Sequence, residues 1–284
     1  MACGLPCALP RLSVLVPQFM LVLDPSAHPV IAHRGASSEA PENTLPSFLR
    51  AIEQGADAIE FDVHVTADDV PVVMHDATVN RTTSGEGAIA AMSWRKLREL
   101  DAGARFTPDA GKTYPYRDRG VRVPSVEEFL AAVPPGLPLV VEVKAFQAQW
   151  PLRRVLERFN AAPRSIIASF EAESLGAFSD PPFARGASRR DVMQLMARTL
   201  CGLGPRRAPY RAIFPPNRYN RTTAHIGIIV RGARRLGIPV HVWTVDDPRE
   251  ARRLWGLGVN GITSNAPRLI LEERAQNEEG GPRK

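Results

Sequence analysis

Short apolar segments alternate with helix-length amphipathic segments along most of this chain, and this alternation restricts the fold more than any other feature. Parallel strands need long crossover connections, which helices usually supply. Repeated strand–helix units of this length therefore indicate a parallel sheet covered by helices. Eight such units are present in the sequence, which favours a closed (β/α)8 barrel over a doubly wound sheet. The sequence also lacks a glycine-rich dinucleotide loop and a P-loop.

The predicted strands are short apolar or alternating runs that end in polar or turn-forming residues. They cover residues 30–33, 58–63, 71–76, 137–144, 165–170, 211–214, 238–245 and 259–263. The second and third strands are separated by too few residues for a crossover helix. Residues 63–67 would span roughly 17 Å at ~3.3 Å per residue, which is enough to run back along a strand. We therefore predict that an extended limb replaces the helix between strands 2 and 3.

An insertion of about residues 77–120 follows the third predicted strand. It leaves the carboxyl end of a strand, so we expect it to cover the catalytic face of the barrel. The barrel domain itself is placed at residues 28–275. An N-terminal extension (1–27), which we expect to be poorly ordered, precedes it, and a C-terminal tail (276–284) follows it.

The N-terminal extension contains an apolar run, residues 12–23, that is interrupted by Pro17 and preceded only by Arg11. No small-residue cleavage site closes this run clearly, so we do not expect a cleaved signal peptide. No uncharged apolar run of about 18 residues occurs, so no transmembrane helix is predicted. The three cysteines form no disulfide framework, which favours a reducing, cytoplasmic location.

Positive charge is concentrated in one part of the chain. Residues 185–235 contain twelve Arg and one acid, Asp191, whereas residues 39–76 are acidic. The basic region is either a solvated face or a surface that attracts an anionic substrate or lipid headgroups. No nucleic-acid recognition motif and no pattern of stacking aromatics accompanies it, so nucleic acid is not an expected partner.

Residues 181–209 do not fit the strand–helix scheme. Apolar residues in this segment recur at the spacing of one helix face: Val192, Met193, Leu195, Met196, Leu200 and Leu203. Arg189, Arg190 and Arg198 lie beside them. Packing as part of the core or a lid is the first interpretation, and an interfacial helix on a phospholipid surface is the alternative. The alternative would give peripheral membrane contact through the Arg-rich region 181–221.

Polar residues at the carboxyl ends of the predicted strands form the candidate active site, because barrel enzymes place their active groups there. They are His33, Arg34, Glu60, Asp62, His75, Glu142 and Lys144. Glu60 and Asp62 lie two residues apart on one strand face, and they would repel each other without a cation or a shared proton between them. A hard divalent cation with oxygen ligands accounts for this pair better than any side chain in reach.

The cationic residues of the same rim suit an anionic substrate group, most naturally a phosphate. Arg34 offers a guanidinium and Lys144 an ammonium group. The imidazoles of His33 and His75, placed beside a phosphodiester, suit a general base and a general acid. The residues thus predict phosphodiester chemistry in which a bound metal polarises the phosphoryl oxygens.

Several motifs resemble those of the glycerophosphodiester phosphodiesterase family in order and spacing. They are His33-Arg34-Gly35, Pro41-Glu42-Asn43-Thr44, Glu60-Phe61-Asp62, His75-Asp76, Glu142-Val143-Lys144, Ser169-Phe170, Trp243-Thr244-Val245-Asp246 and Gly261-Ile262-Thr263. The resemblance covers about residues 28–272. It implies a distorted TIM barrel with a small insertion after strand 3, which hydrolyses glycerophosphodiesters to sn-glycerol 3-phosphate and an alcohol.

The resemblance also implies roles for the matching residues. Glu60, Asp62 and Glu142 would bind one divalent cation, Mg²⁺ or Ca²⁺. His33 and His75 would be the acid–base pair. Either the glycerol hydroxyl of the substrate would attack first, giving a cyclic phosphate that water then opens, or water would attack directly.

The substrate contacts follow from the same resemblance. Arg34 and Lys144 would bind the phosphate, and Trp243 would form a wall for the glycerol or headgroup. Two positions depart from the family pattern. Val70 follows Asp69 where Gly is usual, so a left-handed turn residue would be strained, and Asn265 stands where family members often have Asp. Neither position is expected to touch the metal site.

Other functions stay open at this point. A lysophospholipase D or sphingomyelinase D-like activity could use the same barrel, and the basic, apolar segment 181–209 favours it through contact with lipid. A non-catalytic phosphate- or lipid-binding protein belongs to a different class. It would show the loss of a metal or histidine position, and none is lost here. The sequence specifies neither the alcohol nor an oligomeric state.

Overall fold

The computed structural model describes residues 18–204, 207–219 and 222–279 of the chain. Its strands are β1 (Val30–His33), β2 (Ala58–Val65), β3 (Pro71–Val73), β4 (Leu139–Val143), β5 (Ser165–Ala168), β6 (Ala184–Arg185), β7 (His241–Val242) and β8 (Gly261–Ser264). Its helices are α1 (Gln18–Leu23), α2 (Leu45–Glu53), α3 (Trp94–Leu97), α4 (Val126–Ala132), α5 (Gln149–Arg158), α6 (Arg189–Leu200), α7 (Ala224–Arg234), α8 (Pro248–Leu257) and α9 (Pro267–Glu279).

The parallel strands form one curled sheet in the order β6-β5-β4-β2-β1-β8-β7. Residues 211–216 close the ring between β6 and β7. They do so through parallel bridges that join Gly186 to Ala212 and Ile213 to Val240. The predicted α/β barrel is therefore confirmed.

Strand alternation separates the two sides of the barrel wall. On β2, Ile59, Phe61 and Val63 point outward and are buried under helices α2, α4 and α5. The Phe61 ring packs on that of Phe129 of α4, with the ring centroids 4.4 Å apart. Glu60, on the opposite face, points into the barrel, as the period of two predicts.

The predicted third strand is wrong in direction. β2 continues through Val65, and β3 returns antiparallel beside it, with Val73 opposite Val63. The predicted limb, residues 63–67, does not run back: it continues the first arm of a hairpin into the turn, and β3 is the second arm. A hairpin needs no crossover helix. Asp69 in the turn adopts a left-handed φ of 61°, which Asp tolerates better than most residues. β4 pairs directly with β2 and takes the third place in the barrel wall.

Strand β6 is not predicted from the sequence. Its two residues, Ala184 and Arg185, form no apolar run, yet they pair in parallel with β5 and Ala184 is buried in the barrel interior. The predicted strand at 211–214 contributes isolated bridges instead of a continuous ladder. The barrel wall still has eight parallel positions, because β6 belongs to it and β3 does not.

The floor of the barrel is closed by the N-terminal segment. Val22 on α1 is 1% exposed and clusters with interior side chains from around the ring: Ile31, Ala58, Val140, Ile166, Ala184 and Ala212. His241 Nε2 donates a hydrogen bond to the Val22 carbonyl oxygen at 2.8 Å. Packed structure therefore begins before residue 28, the predicted start of the domain. The remainder of the predicted extension, 1–17, and the end of the predicted tail, 280–284, lie outside the described residues.

The residues between β3 and α4 form a lobe above the hairpin. This lobe has an apolar cluster of its own, which includes Val79, Ile89, Leu97 and Val123. The lobe is the predicted insertion, and its first residues lie next to the strand ends that carry the candidate site.

Helix α6 divides its apolar residues between the core and the surface. Leu195 is buried against α7, where Gly232 permits a close approach: a Cβ there would lie 2.5 Å from Thr199 Oγ1. Met193 and Leu200 are 63% and 66% exposed. Packing thus accounts for one side of the helix only. Within the described chain, no helix combines the length and apolar character needed to cross a membrane.

Candidate active site

Strand register assembles the site at the carboxyl end of the barrel. His33 lies beside Glu60 in the pairing of β1 with β2. Asp62 lies beside Glu142 in the pairing of β2 with β4. Glu60, Asp62 and Glu142 each offer a carboxylate oxygen within 4.8 Å of the other two. The structure thus brings together the three carboxylates predicted as metal ligands.

Burial and mutual repulsion give these carboxyl groups different proton affinities. Burial raises the pKa of Glu60 well above its usual value, and the charges of Asp62 and Glu142 raise it further. Burial also raises the pKa of Glu142, although Lys144 opposes this. Burial alone would raise the pKa of Asp62, but the charges of Lys144 and Arg34 bring it below its ordinary value. Asp62 is therefore held ionised, while the two glutamates retain protons more readily than free carboxyl groups do.

Two cations flank Asp62. Lys144 Nζ lies 3.0 Å from Asp62 Oδ1 and 2.7 Å from Glu142 Oε1. Arg34 Nε lies 3.0 Å from Asp62 Oδ2. These are ion pairs by distance, yet neither Arg34 Nε nor Asp62 Oδ1 has a well-aligned hydrogen-bond partner within the described chain. A buried carboxylate oxygen with unused lone pairs, inside a group of three carboxylates, fits a divalent cation with oxygen ligands.

The loop after β1 fixes these charged groups in place. The Arg34 backbone is left-handed (φ 57°), and its N–H donates to Glu60 Oε2 at 3.0 Å. Arg34 Nη1 donates to Glu42 Oε1, and Asn43 Nδ2 donates to Asp62 Oδ2, both at 2.8 Å. Glu42 and Asn43 belong to a motif that resembles the family, but the sequence alone predicts no role for either residue.

His33 is oriented by a residue that follows the last strand. Its Nδ1 lies 2.7 Å from Asn265 Oδ1, and Asn265 Nδ2 donates to Asp246 Oδ2 at 2.8 Å. Because the amide oxygen only accepts, His33 Nδ1 carries a proton, and Nε2 makes no hydrogen bond to the described residues. Burial lowers the pKa of His33 and the charge of Arg34 lowers it further, which favours the neutral imidazole. Asn265, one of the two positions that depart from the family pattern, thus contacts His33. The sequence alone does not predict this contact.

His75 is held in the same manner by a carboxylate. Its Nδ1 lies 2.6 Å from Asp76 Oδ1. Hydrogen bonds from Arg81 lower the pKa of Asp76, so Asp76 is an ionised acceptor and His75 Nδ1 is the donor. His75 Nε2 has no partner in the part of the chain that the structure describes. The His75-Asp76 motif is visible in the sequence, but nothing there connects Arg81 to it.

An aromatic wall borders His33. The Trp243 ring stacks on the His33 ring at 23°, with the centroids 6.5 Å apart. Trp243 Nε1 donates to the Phe214 carbonyl oxygen at 2.9 Å, and the Phe170 ring meets the indole edge-on at 5.9 Å. The half-buried indole face therefore offers a fixed apolar surface next to the charged groups. All the residues predicted for the site lie at this one end of the barrel.

Known proteins are similar to this chain in sequence and in fold. A profile of the glycerophosphoryl diester phosphodiesterase family matches residues 33–269. A glycerophosphodiester phosphodiesterase of Caldanaerobacter subterraneus is 32% identical over 257 residues, which are 85% of this chain and 96% of that protein.

Solved structures agree with the barrel. The glycerophosphoryl diester phosphodiesterase domain of an uncharacterized Mycobacterium tuberculosis protein aligns with a TM-score of 0.75 at 22% identity, over 88% of this chain and 100% of that one. A phosphodiesterase of Oleispira antarctica, solved in complex with the product sn-glycerol 3-phosphate, aligns with a TM-score of 0.70 at 24% identity, over 88% of this chain and 97% of that one. These structural similarities support the fold.

Proposed function

The chain belongs to the glycerophosphoryl diester phosphodiesterase family and is a phosphodiester hydrolase, and on that premise we propose that it cleaves glycerophosphodiesters to sn-glycerol 3-phosphate and an alcohol. One observation carries this proposal. The carboxylates of buried Glu60 and Asp62 and of partly buried Glu142 converge to within 4.8 Å, directly beside the cations of Arg34 and Lys144. Such a pairing suits a metal and an anionic substrate bound side by side.

The three carboxylates are the proposed ligands of one divalent cation, Mg²⁺ or Ca²⁺. Their oxygen-only donor set suits hard cations. Asp62 Oδ1 has no well-aligned hydrogen bond within the described chain, so it could bind a cation in exchange for its ion pair with Lys144. A bound cation would polarise the phosphoryl oxygens and stabilise the charge that develops on them.

Arg34 and Lys144 are the proposed phosphate contacts. Both already lie against Asp62, so a phosphate that they bind is placed next to the carboxylate cluster. Glu42 fixes the far side of the Arg34 guanidinium, which leaves its orientation determined before substrate arrives. The indole of Trp243 then bounds the glycerol or the headgroup.

His33 and His75 are the proposed acid–base pair. The lowered pKa of His33 favours its neutral form, so His33 Nε2 is suited to take the proton from the attacking hydroxyl. The Asp76 carboxylate holds the His75 ring through Nδ1, so Nε2 is the ring nitrogen proposed to give a proton to the leaving alcohol. Each imidazole ring is held by a hydrogen bond at Nδ1, so Nε2 is the proposed reacting atom in both.

A chelation experiment tests the proposal. The full chain is stripped of metal, reloaded with Mg²⁺ or Ca²⁺, and assayed for glycerol 3-phosphate released from glycerophosphocholine. We expect turnover in the reloaded protein only. Glu142→Gln should abolish it, and Glu99→Gln, the same change at an exposed site, should not. Turnover that survives complete metal removal would exclude the metal assignment. A reloaded protein that releases no glycerol 3-phosphate from any glycerophosphodiester would exclude the function.

A second class of substrate, lysophospholipids or sphingomyelin, is favoured by the outer rim of the barrel. Phe146, Trp150, Met193 and Tyr219 follow the carboxyl ends of β4, β6 and segment 211–216, and they are exposed, at 57%, 57%, 63% and 63%. The adjoining region 181–221 contains nine Arg and one acid. Residues 205–206 and 220–221 of this region lie outside the described residues. Exposed aromatic and basic side chains beside an active site suit contact with a lipid surface.

Vesicle sedimentation tests whether this rim binds lipid. The double variant Arg189→Gln/Arg190→Gln removes two exposed cations at the start of α6. Each basic residue near an anionic surface contributes about 1 kcal/mol, so binding to phosphatidylserine vesicles should fall at least about tenfold. Arg231→Gln/Arg235→Gln, at the floor end of α7, is the matched control. Equal sedimentation of both variants and the parent would exclude docking. Hydrolysis of lysophosphatidylcholine then decides the substrate class.

A further inference from the structure

Arg81, at the start of the insertion, contacts carboxylates from two separate segments of the chain. Its Nη1 and Nη2 donate to the two carboxylate oxygens of Glu42, both at 2.8 Å. Its Nε donates to Asp76 Oδ2 at 2.7 Å, and its Nη2 also reaches Asp76 Oδ1 at 3.2 Å. One guanidinium thus joins a residue of the loop after β1 to a residue that follows the β3 strand.

Each of these carboxylates in turn holds a residue of the candidate site. Asp76 accepts the hydrogen bond from His75 Nδ1 at 2.6 Å. Glu42 accepts from Arg34 Nη1 at 2.8 Å. The continuous series Arg34–Glu42–Arg81–Asp76–His75 therefore runs from the proposed phosphate contact to the proposed acid.

The planar fork of an arginine is needed for this arrangement. A guanidinium can donate to two carboxylates in fixed directions at once, whereas an ammonium acts as a point charge on a flexible stem. Without Arg81, Asp76 would lose its strongest hydrogen-bond donor and Glu42 would keep Arg34 as its charged partner. Both carboxylates, and the residues they hold, would gain freedom to move.

We propose that Arg81 is a positioning residue, which sets the placement of His75 relative to Arg34 through Asp76 and Glu42. The proposal rests on the function proposed above. Arg81 touches neither the carboxylate cluster nor the substrate contacts directly, and its side chain is 48% exposed. An exposed ion pair contributes little to folding stability, so its removal should leave the fold intact. The effect should appear in catalysis, where a displacement of about 1 Å can cost about 10²-fold.

Steady-state kinetics on glycerophosphocholine test the proposal. Arg81→Gln should lower kcat about 10-fold to 100-fold with a nearly unchanged Tm, and Arg81→Lys should restore part of the loss. Arg95→Gln, an exposed arginine of the same lobe, should match the parent. Asp76→Asn should lower kcat as well, and adding Arg81→Gln to it should lower kcat little further, because both act on His75. Parent-like kcat in Arg81→Gln, or losses that add fully in the double variant, would overturn the proposal.

Nitrogen-15 NMR of the His75 ring provides a readout that does not need turnover. In spectra recorded where the ring is neutral, the parent should show one tautomer, with the proton on Nδ1, and Arg81→Gln should show a mixture. His75→Gln identifies the resonance. A single Nδ1–H tautomer in both proteins would overturn the positioning role. If Arg81→Gln shows this tautomer shift but the parent does not hydrolyse glycerophosphodiesters, the proposed function is contradicted. The positioning role of Arg81 is then still supported.

Discussion

The two halves of the barrel wall contribute different kinds of residue to the site. Strands β1, β2 and β4, with the hairpin and the loops that follow them, supply the three carboxylates, both flanking cations and both histidines. Among the described residues of the other half, from β5 to β8, none adds a carboxylate to that cluster. This half contributes the indole of Trp243 and the amide of Asn265. The charged groups of the candidate site therefore lie on one side of the barrel, and the opposite side supplies an aromatic surface and the amide that contacts His33.

This division predicts how substitutions should act. Changes in the first half should lower kcat, because they remove groups that meet the reacting atoms. Changes in the second half should act mainly on KM, because they alter a surface that holds substrate and transition state alike. Substitutions in each half of the barrel test this division.

The largest effect is expected from Glu60→Gln. Stabilisation by a metal is worth several kcal/mol in the transition state, so loss of a ligand should lower kcat at least about 10³-fold. The same variant should raise the Tm of the metal-free protein at neutral pH. The pKa of Glu60 is raised in the folded protein, so its stabilising contribution is present at low pH and is lost as pH rises through that pKa.

Calorimetry with a chelator and kinetics with added metal check the two parts of this prediction. Glu99→Gln is the control for both. A Glu60→Gln protein that keeps full turnover would remove Glu60 from the metal site. If Glu60→Gln without metal has a lower Tm than the parent at pH 7, the Glu60 carboxylate does not destabilise the metal-free fold.

The next largest effect is expected from the histidines. His33→Ala and His75→Ala should each lower kcat about 10²-fold or more, as loss of a general acid or base does. His28→Ala, at the exposed floor end of the barrel, is the matched control. Wild-type turnover in either rim variant would remove that histidine from the mechanism.

Most site residues on β1, β2 and β4 can be predicted from the sequence, because they follow from strand alternation and strand direction, which are local patterns. The period of two places Glu60 and Asp62 on one strand face, and parallel strands bring their carboxyl ends to one rim. Glu142 and Lys144 follow by the same argument on β4. The direction of β3 does not follow, since a short strand reads alike in a hairpin and in a parallel sheet. β6 has only two residues, which are too few to show an alternating apolar pattern.

The supporting contacts are harder to predict because they join distant parts of the chain. Asn265 lies 232 positions from His33, and Arg81 lies 39 positions from Glu42. Each contact depends on the path of a loop that no periodicity determines. Val22 is similar, because its burial in the barrel floor depends on a ring that is complete only in three dimensions. The proposed reacting groups can thus be predicted from the sequence, whereas the residues that hold them in place cannot.

Metal affinity should depend strongly on pH. The pKa values of Glu60 and Glu142 are raised, mainly by burial, so both carboxyl groups retain protons at a pH where free carboxyl groups have lost them. A divalent cation binds the deprotonated forms, so affinity should fall as pH falls, about tenfold per pH unit for each proton released. Titration calorimetry in buffers of different ionisation enthalpy measures the protons. Binding without proton release across this range would contradict the raised pKa values.

The smallest effect is expected in the second half, from Trp243→Ala. The indole offers a half-buried face beside His33 and has no titratable group, so it should bind substrate and transition state to a similar extent. KM for glycerophosphocholine should rise roughly tenfold, while kcat should change by less than about threefold. Tyr114→Ala, an exposed aromatic of the lobe, should leave both constants unchanged. If kcat and kcat/KM instead fall together, Trp243 holds His33 in place for catalysis, and the two halves of the barrel share the catalytic work.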